Sequence, residues 1–271
     1  MTGRVLTIAG SDSGGGAGIQ ADIKTVTALG GYGASAITAI TVQNTLGVRA
    51  VHALPPALVA AQMTAVLEDI GADALKTGML HDAGIVHAVC DVIERHAPSI
   101  PLIADPVMIA KGGAALLAKD AVAALLDRLV PLAAVLTPNI PEAAHLAGMT
   151  VADEAGMEEA ARALMAKGAR AVLVKGGHGG GDTVVDMLVG PDGVQRFRAP
   201  RLATRHTHGT GCTLASAIAT GIAQGLALDA AVARARRYVR RAMAAAPGLG
   251  AGHGPLGHGF PCRWDGEENA D

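Results

Sequence analysis

The chain alternates short β-like runs with helical ones, and that alternation restricts its fold more than any other property. VLTIAG (Val5 to Gly10) leads through a glycine-rich loop into AGIQADIKTVTALGG. There Ile19, Ile23, Val26 and Leu29 share one helical face before Gly30 and Gly31 end it. The order repeats in SAITAITV and PALVAAQMTAVLEDI, ALKTGML and DAGIVHAVCDVIERH, PLIADP and KDAVAALLDRLV, AAVLTPN with PEAAHLAG and EEAARALMAKG, and RAVLVKGG. Such alternation predicts an α/β fold with a largely parallel sheet and helices on both faces. TVVDMLVGPDGVQRFRA predicts a hairpin turning at PDG, and the alanine-rich TLASAIATGIAQG predicts a helix directly after HGTGC.

At 271 residues one large α/β domain is an ordinary size. Hydrophobic residues make up 50% but aromatic ones only 2%, so the core is built from Ala, Val, Leu and Ile, and base-stacking platforms are not expected. Lys plus Arg is 22 against 24 for Asp plus Glu; a net charge of -2 gives no electrostatic reason for nucleic acid or an anionic membrane as partner. The uncharged stretches Thr25 to Val48 and Gly209 to Leu228 are too rich in polar residues and glycine to span a bilayer. Cys90, Cys212 and Cys262 form no CxxC, which argues against a disulfide framework or structural zinc and fits a reducing cytoplasm. The apolar run near the N-terminus is shorter than a signal-peptide core.

Ligands of such sheets bind outside the carboxyl ends of the strands. Those ends here are AGSDSGGGAG, TVQNT, KTGM, ADPVM, TPNIPE, KGGH and HGTGC, each finishing a β-like run with Gly or a polar residue. No GxxxxGK[ST] occurs. Gly16 to Ala21 matches GxGxxA, but it stands away from its strand, and no acid for a ribose follows about 20 residues later. HGTGC is the better anion site, because amides at a helix start, reinforced by its dipole, hold phosphate oxygens without a lysine. The same position is expected to draw the Cys212 thiol towards thiolate, against the alternative of a small residue at a tight helix start. Asp105 ends an otherwise apolar run and needs a partner if buried. His178, His206, His208, His253 and His258 have no metal spacing and read as loop hydrogen-bonders.

Taken in order from Val5 to Phe260, AGSDSGGGAGIQADIKT, TVQNT, ADPVMIAKGG, TPNIPEA, KGGH and HGTGC resemble the hydroxymethylpyrimidine/phosphomethylpyrimidine kinases of thiamine biosynthesis, in the ribokinase-like superfamily. The resemblance implies a three-layer α/β/α fold with a mostly parallel central sheet. One kinase domain would cover 1–260 and a polar tail 261–271. The reaction would be transfer of the ATP γ-phosphate to 4-amino-5-hydroxymethyl-2-methylpyrimidine and then to its monophosphate, with Mg2+, in a cytoplasmic homodimer.

By the same resemblance Gly10, Asp22, Gln43, Met79 and Val107 line the pyrimidine pocket, with Asp22 and Gln43 supplying its polar contacts. Asn139 and Glu142 reproduce the superfamily NxxE, and Asp105 and Glu142 are the metal ligands. Asn139, Lys175, Gly209 and Gly211 take the nucleotide. Gly209, Thr210 and Gly211 form the amide cradle beside Lys175, and Cys212 is the base. Cysteine at this position also occurs in related pyridoxal kinases, so a pyridoxal/pyridoxine kinase is the rival reading; a non-catalytic vitamin-binding module is a more distant one. Two departures bear on the pocket edge: SDSGGG where the family commonly has a proline before SGG, and the glycine-rich IAKGG after Met108.

Overall fold

A computed structural model describes residues 2–108 and 118–262. Nine strands form a single sheet: β1 (Arg4–Asp12), β2 (Tyr32–Asn44), β3 (Gly47–Ala53), β4 (Ala74–Thr77), β5 (Leu102–Ala104), β6 (Ala133–Leu136), β7 (Val172–Val174), β8 (Thr183–Gly190) and β9 (Gly193–Pro200). Their spatial order is β3-β2-β1-β4-β5-β6-β7-β8-β9. Pairings from β2 across to β7 are parallel, while β3, β8 and β9 run antiparallel to their neighbours.

Among the described residues eight α-helices cover the two faces: α1 (Gly18–Ala28), α2 (Pro56–Asp69), α3 (Ala83–His96), α4 (Lys119–Ala124), α5 (Ile140–Ala147), α6 (Glu154–Ala166), α7 (Thr210–Ala223) and α8 (Leu228–Ala244). Successive strand residues point to opposite faces, so each strand divides its side chains between two cores. Leu6, Leu75 and Leu102 pack with α2 to α6. Val5, Ala74 and Ile103 pack with α1, α7 and α8. These are the three layers expected of the α/β class.

Several elements differ from the sequence reading. β1 runs past Gly10 to Asp12, with a register shift against β2 between Ala9 and Ser11. KDAVAALLDRLV is not one α-helix: α4 stops at Ala124, a π turn covers Leu125–Leu129 and a 3-10 turn Val130–Leu132. Pro131 lacks the N–H that would continue the regular ladder. β3 and α8 were not anticipated at all. The hairpin β8–β9 pairs Gly190 with Gly193 across Pro191 and Asp192. The IAKGG stretch, and the tail from residue 263 onward, lie outside the described residues.

Candidate functional site

The strand ends converge along one edge of the sheet, where a buried aspartate organises the first glycine-rich loop. Asp12, 3% exposed, accepts hydrogen bonds from the amides of Gly14 (2.8 Å), Gly16 (3.1 Å) and Ala17 (2.9 Å). Its Oδ2 also lies 2.8 Å from His208 Nε2. Burial pushes this carboxyl up, but the hydrogen bond and charge of His208 and the loop amides outweigh it, holding Asp12 below the usual carboxylate range. Gln20 braces the turn, accepting from the Asp12 amide and donating to Ser11 Oγ. Ser13 ties the loop to TVQNT: its hydroxyl donates to the Gln43 carbonyl at 2.8 Å, and the Gln43 amide lies 2.9 Å from its Oγ. The Gln43 carboxamide reaches from Thr41 Oγ1 (3.1 Å) to His208 Nε2 (3.3 Å).

Beside this loop, α7 begins without a side-chain cap. Gly209 holds the N-cap position at φ 81, and a side chain there would collide with the Gly16 carbonyl, so glycine is required on two counts. First-turn amides have no partner within their own helix and point outward. A cation stands at this mouth. Lys175 Nζ lies 3.2 Å from where a Gly211 Cβ would be, donates to Asp105 Oδ1 at 2.7 Å and is 4.0 Å from Glu142 Oε2.

Asp105 Oδ1 also accepts from Thr137 Oγ1, while its Oδ2 faces Gly211. Asn139 and Glu142 form a reciprocal capping box at the start of α5. Burial raises the Glu142 carboxyl and the Asp105 charge adds to the rise, with Lys175 opposing both. Lys175 is held above its ordinary value: burial opposes its charge, but Asp105 and Glu142 overcome that.

Under α7 lies a second pair that the sequence reading did not contain. Lys76, fully buried, places Nζ 2.8 Å from both oxygens of fully buried Asp22. Asp22 also accepts from Thr7 Oγ1 (2.5 Å) and Ser216 Oγ (2.7 Å). Asp22, which the resemblance implies for the pyrimidine, lies fully buried with both oxygens bonded from within. Burial works against the Lys76 charge, and Asp22, Cys212 and Asp105 more than offset it, raising the lysine.

Cys212 stands one turn before Ser216 on the same helix. Its thiol is pushed up to about 11, because burial outweighs the charge of Lys76 and the amide of Gly18. That runs against the expected drift towards thiolate: desolvation of the sulfur exceeds the pull of Lys76 and the Gly18 amide.

The remaining expected residues fall at the same edge. Met79 Cε sits 2.5 Å from where a Gly10 Cβ would stand, so these two pack directly, and the Thr38 hydroxyl donates to the Met79 carbonyl. Val107 follows Asp105 at half-buried depth. Among the histidines, His258 is buried against Thr213 Oγ1 and depressed to about 4, chiefly by burial. A strap from Leu249 to Gly257 folds back over the edge, its His253 amide donating to the Thr45 carbonyl and its Gly254 carbonyl accepting from the His208 amide. Next to it a cleft of about 250 Å³ is lined by Leu202, Ala203, Thr204, His206, Met243 and Ala246, among others.

Asp12, Lys76 and His208 carry most of this architecture, and sequence reasoning gave none of them a site role. An Asp two residues before glycines is an Asx-turn signal that could have revealed the first.

The chain is similar to known proteins. The profile described as phosphomethylpyrimidine kinase matches residues 12–257. The chain is 54% identical over 94% of its length to the thiamine biosynthesis bifunctional protein of Geobacter sulfurreducens, of which it spans about half, 52%. It is 50% identical to the hydroxymethylpyrimidine/phosphomethylpyrimidine kinase of Streptomyces coelicolor, with 94% of each chain covered. Among solved structures, the phosphomethylpyrimidine kinase of Clostridium difficile matches with a TM-score of 0.79 and 41% identity over 88% of this chain and 98% of that one. An ADP complex of Bacillus subtilis pyridoxal kinase matches with a TM-score of 0.88 and 34% identity over 96% and 98%.

Proposed function

The chain belongs to the phosphomethylpyrimidine kinase family, and on that footing we propose that it phosphorylates 4-amino-5-hydroxymethyl-2-methylpyrimidine and then its monophosphate in thiamine biosynthesis. It is a phosphotransferase with ATP as co-substrate. The observation that carries the reading is the meeting of three parts at one sheet edge: the uncapped start of α7, Lys175 at its mouth, and the Gln43 loop locked to the glycine-rich loop. Oriented amides and a fixed cation are what phosphoryl transfer asks of a protein, since charge on the transferring oxygens dominates its barrier.

Amides of Gly209, Thr210 and Gly211 receive the phosphoryl oxygens, and Lys175 balances their charge. Asn139 holds Glu142 in place through the capping box. Gly10, Met79 and Val107 form the apolar sides of the pyrimidine pocket and Gln43 its polar wall, while Asp22 acts from below by holding Lys76. The cleft by His206 and Met243 takes the adenine.

Asp105 and Glu142 suit Mg2+: both offer hard oxygens beside the cradle, and no group of three candidate ligands among the described residues forms a ready-made cage. Asp105 and Glu142 would hold the ion, one or two carboxylates being what Mg2+ takes from a protein at such sites. When bound it supplies positive charge at the β- and γ-phosphates. Cys212 accepts the proton of the substrate hydroxymethyl; with its thiol near 11, that role is confined to the small thiolate fraction present at neutral pH.

The domain extends over 1–260 with 261–271 as a tail, and the enzyme works in the cytoplasm as a homodimer. Ile40, Val42 and Leu46, about half exposed or more on the β2–β3 arm, favour a second copy as the cover for that arm. Pyridoxal kinase remains the second reading, favoured by the TM-score of 0.88 to the Bacillus subtilis enzyme. The test is ATP consumption with Mg2+ and, separately, hydroxymethylpyrimidine, its monophosphate and pyridoxal. Turnover of both pyrimidines is expected; turnover of pyridoxal alone would retain the reaction class and sink the substrate assignment.

A further inference from the structure

From the contacts around Gln43 we infer that His208 is a positioning residue: it turns the Gln43 carboxamide so that its oxygen faces HGTGC, and this fixes which end of the pyrimidine points at the phosphate cradle. The inference rests on the pocket reading above and deepens it.

Asp12 Oδ2 already takes the amides of Gly16 and Ala17, and its carboxyl is held in the ionised form, which can only accept. His208 Nε2, 2.8 Å away, is therefore the donor. A nitrogen that bears this hydrogen cannot accept another from Gln43, so although the carboxamide NH2 is drawn 3.3 Å from it, the compatible orientation is the amide turned end for end, with its oxygen towards His208. Thr41 is compatible with the same answer. Its single hydroxyl hydrogen has two acceptors in reach, the Ser11 carbonyl at 2.9 Å and, as drawn, the Gln43 carboxamide oxygen at 3.1 Å; with the amide turned, the hydroxyl gives to Ser11 and accepts from the Gln43 NH2. Amide nitrogen and oxygen occupy equivalent volumes, and the turned amide lets Thr41 serve both Ser11 and Gln43 while removing the opposition of two N–H donors at His208.

Orientation matters because the substrate is asymmetric. Along the ring a nitrogen acceptor, the carbon bearing the 4-amino donor and the carbon bearing the hydroxymethyl follow one another. With the Gln43 NH2 on the Thr41 side and its oxygen on the His208 side, the ring nitrogen takes the first and the amino group gives to the second. The hydroxymethyl, next along the ring, then points past His208 to Gly209 and Cys212. With the amide reversed, the same two hydrogen bonds would turn the reacting hydroxyl away from the cradle.

The test is a double-mutant cycle reading KM for hydroxymethylpyrimidine and for ATP in the full chain. Gln43→Ala and His208→Ala should each raise the pyrimidine KM about tenfold, the size of one lost buried hydrogen bond. The double variant should be no worse than the poorer single one, and the ATP KM should stay within about threefold. His208→Gln, which keeps a donor for Asp12 and Gln43, should bring the pyrimidine KM back to within about threefold of the parent.

Penalties that multiply in the double variant, or an ATP KM that rises in step, would overturn the positioning role while leaving Gln43 in the pocket. An unchanged KM in Gln43→Ala would sink the pocket reading and the inference together. If His208→Ala does not fold, Thr41→Val probes the other end of the amide: it should raise the pyrimidine KM about threefold, and only while Gln43 is present. An equal rise in the Gln43→Ala background counts against the inference.

Discussion

Two lysine–aspartate pairs lie beneath α7, and they differ in what is left over. Lys76 and Asp22 are 2.8 Å apart and wholly buried, with Thr7 and Ser216 saturating the carboxylate. Lys175 and Asp105 are 2.7 Å apart at the lip of the cradle, and beyond them stand Glu142 and the helix start. In the first pair every hydrogen-bonding position of the aspartate is used inside the protein. In the second, Asp105 turns an oxygen towards Gly211 and the lysine keeps 12% of its side chain accessible. Similar ion pairs thus serve opposite ends: one is sealed into the core, the other is left open to an arriving anion.

The sharpest way to break that comparison is Lys76→Met. It strands a buried carboxylate and should cost about 3–5 kcal/mol of stability by urea denaturation, whereas Lys76→Met combined with Asp22→Leu should regain most of it. A single variant as stable as its parent would mean the pair is not sealed.

Lys175→Met should act on turnover instead. A fall of roughly 10² to 10³ in kcat is expected, with a smaller shift in the denaturation midpoint than Lys76→Met causes. If the midpoint falls further than in Lys76→Met while kcat holds, the roles of the two lysines are exchanged.

The mildest test uses Cys212, which feels both lysines. Its thiol near 11 lies above the ordinary value of 9.0, so the folded protein holds this proton more tightly than the unfolded chain does. The protonated thiol therefore favours folding fully below about pH 9, and that contribution is lost as pH rises towards 11. In the ligand-free protein, alkylation followed by mass spectrometry should modify exposed Cys262 first, and the Cys212 rate should still be climbing at pH 10. A Cys212 rate that levels off near pH 7 would restore the thiolate expected from the helix start.

The layered sheet and the HGTGC cradle were legible in the sequence because each is local: a strand end, a loop and a helix start stand next to one another along the chain. β3 was not, because GVRAVHA hangs as an arm with little burial and so lacks a clear period-2 pattern. Lys76 was overlooked for a different reason. In ALKTGML it reads as the polar end of a strand, and only the approach of α1 and α7 from distant parts of the chain shows that it has no route to water. Asp22 carries the same ambiguity, since a carboxylate on a helix looks the same from the sequence whether it faces a ligand or a lysine.

The strap over the site has a consequence for how the enzyme comes into being. Gly16 in the first loop lies against both His208 and Pro255, so this contact joins residues from nearly opposite ends of the kinase fold. Closing so long a loop is entropically slow, and contacts of this separation form after the local ones. The parallel sheet and its helices can assemble progressively, but the pyrimidine side of the site has no rim until residues 252–255 arrive. During synthesis the catalytic edge is thus among the last parts to be finished, and a nascent chain holding most of the fold is not yet a kinase.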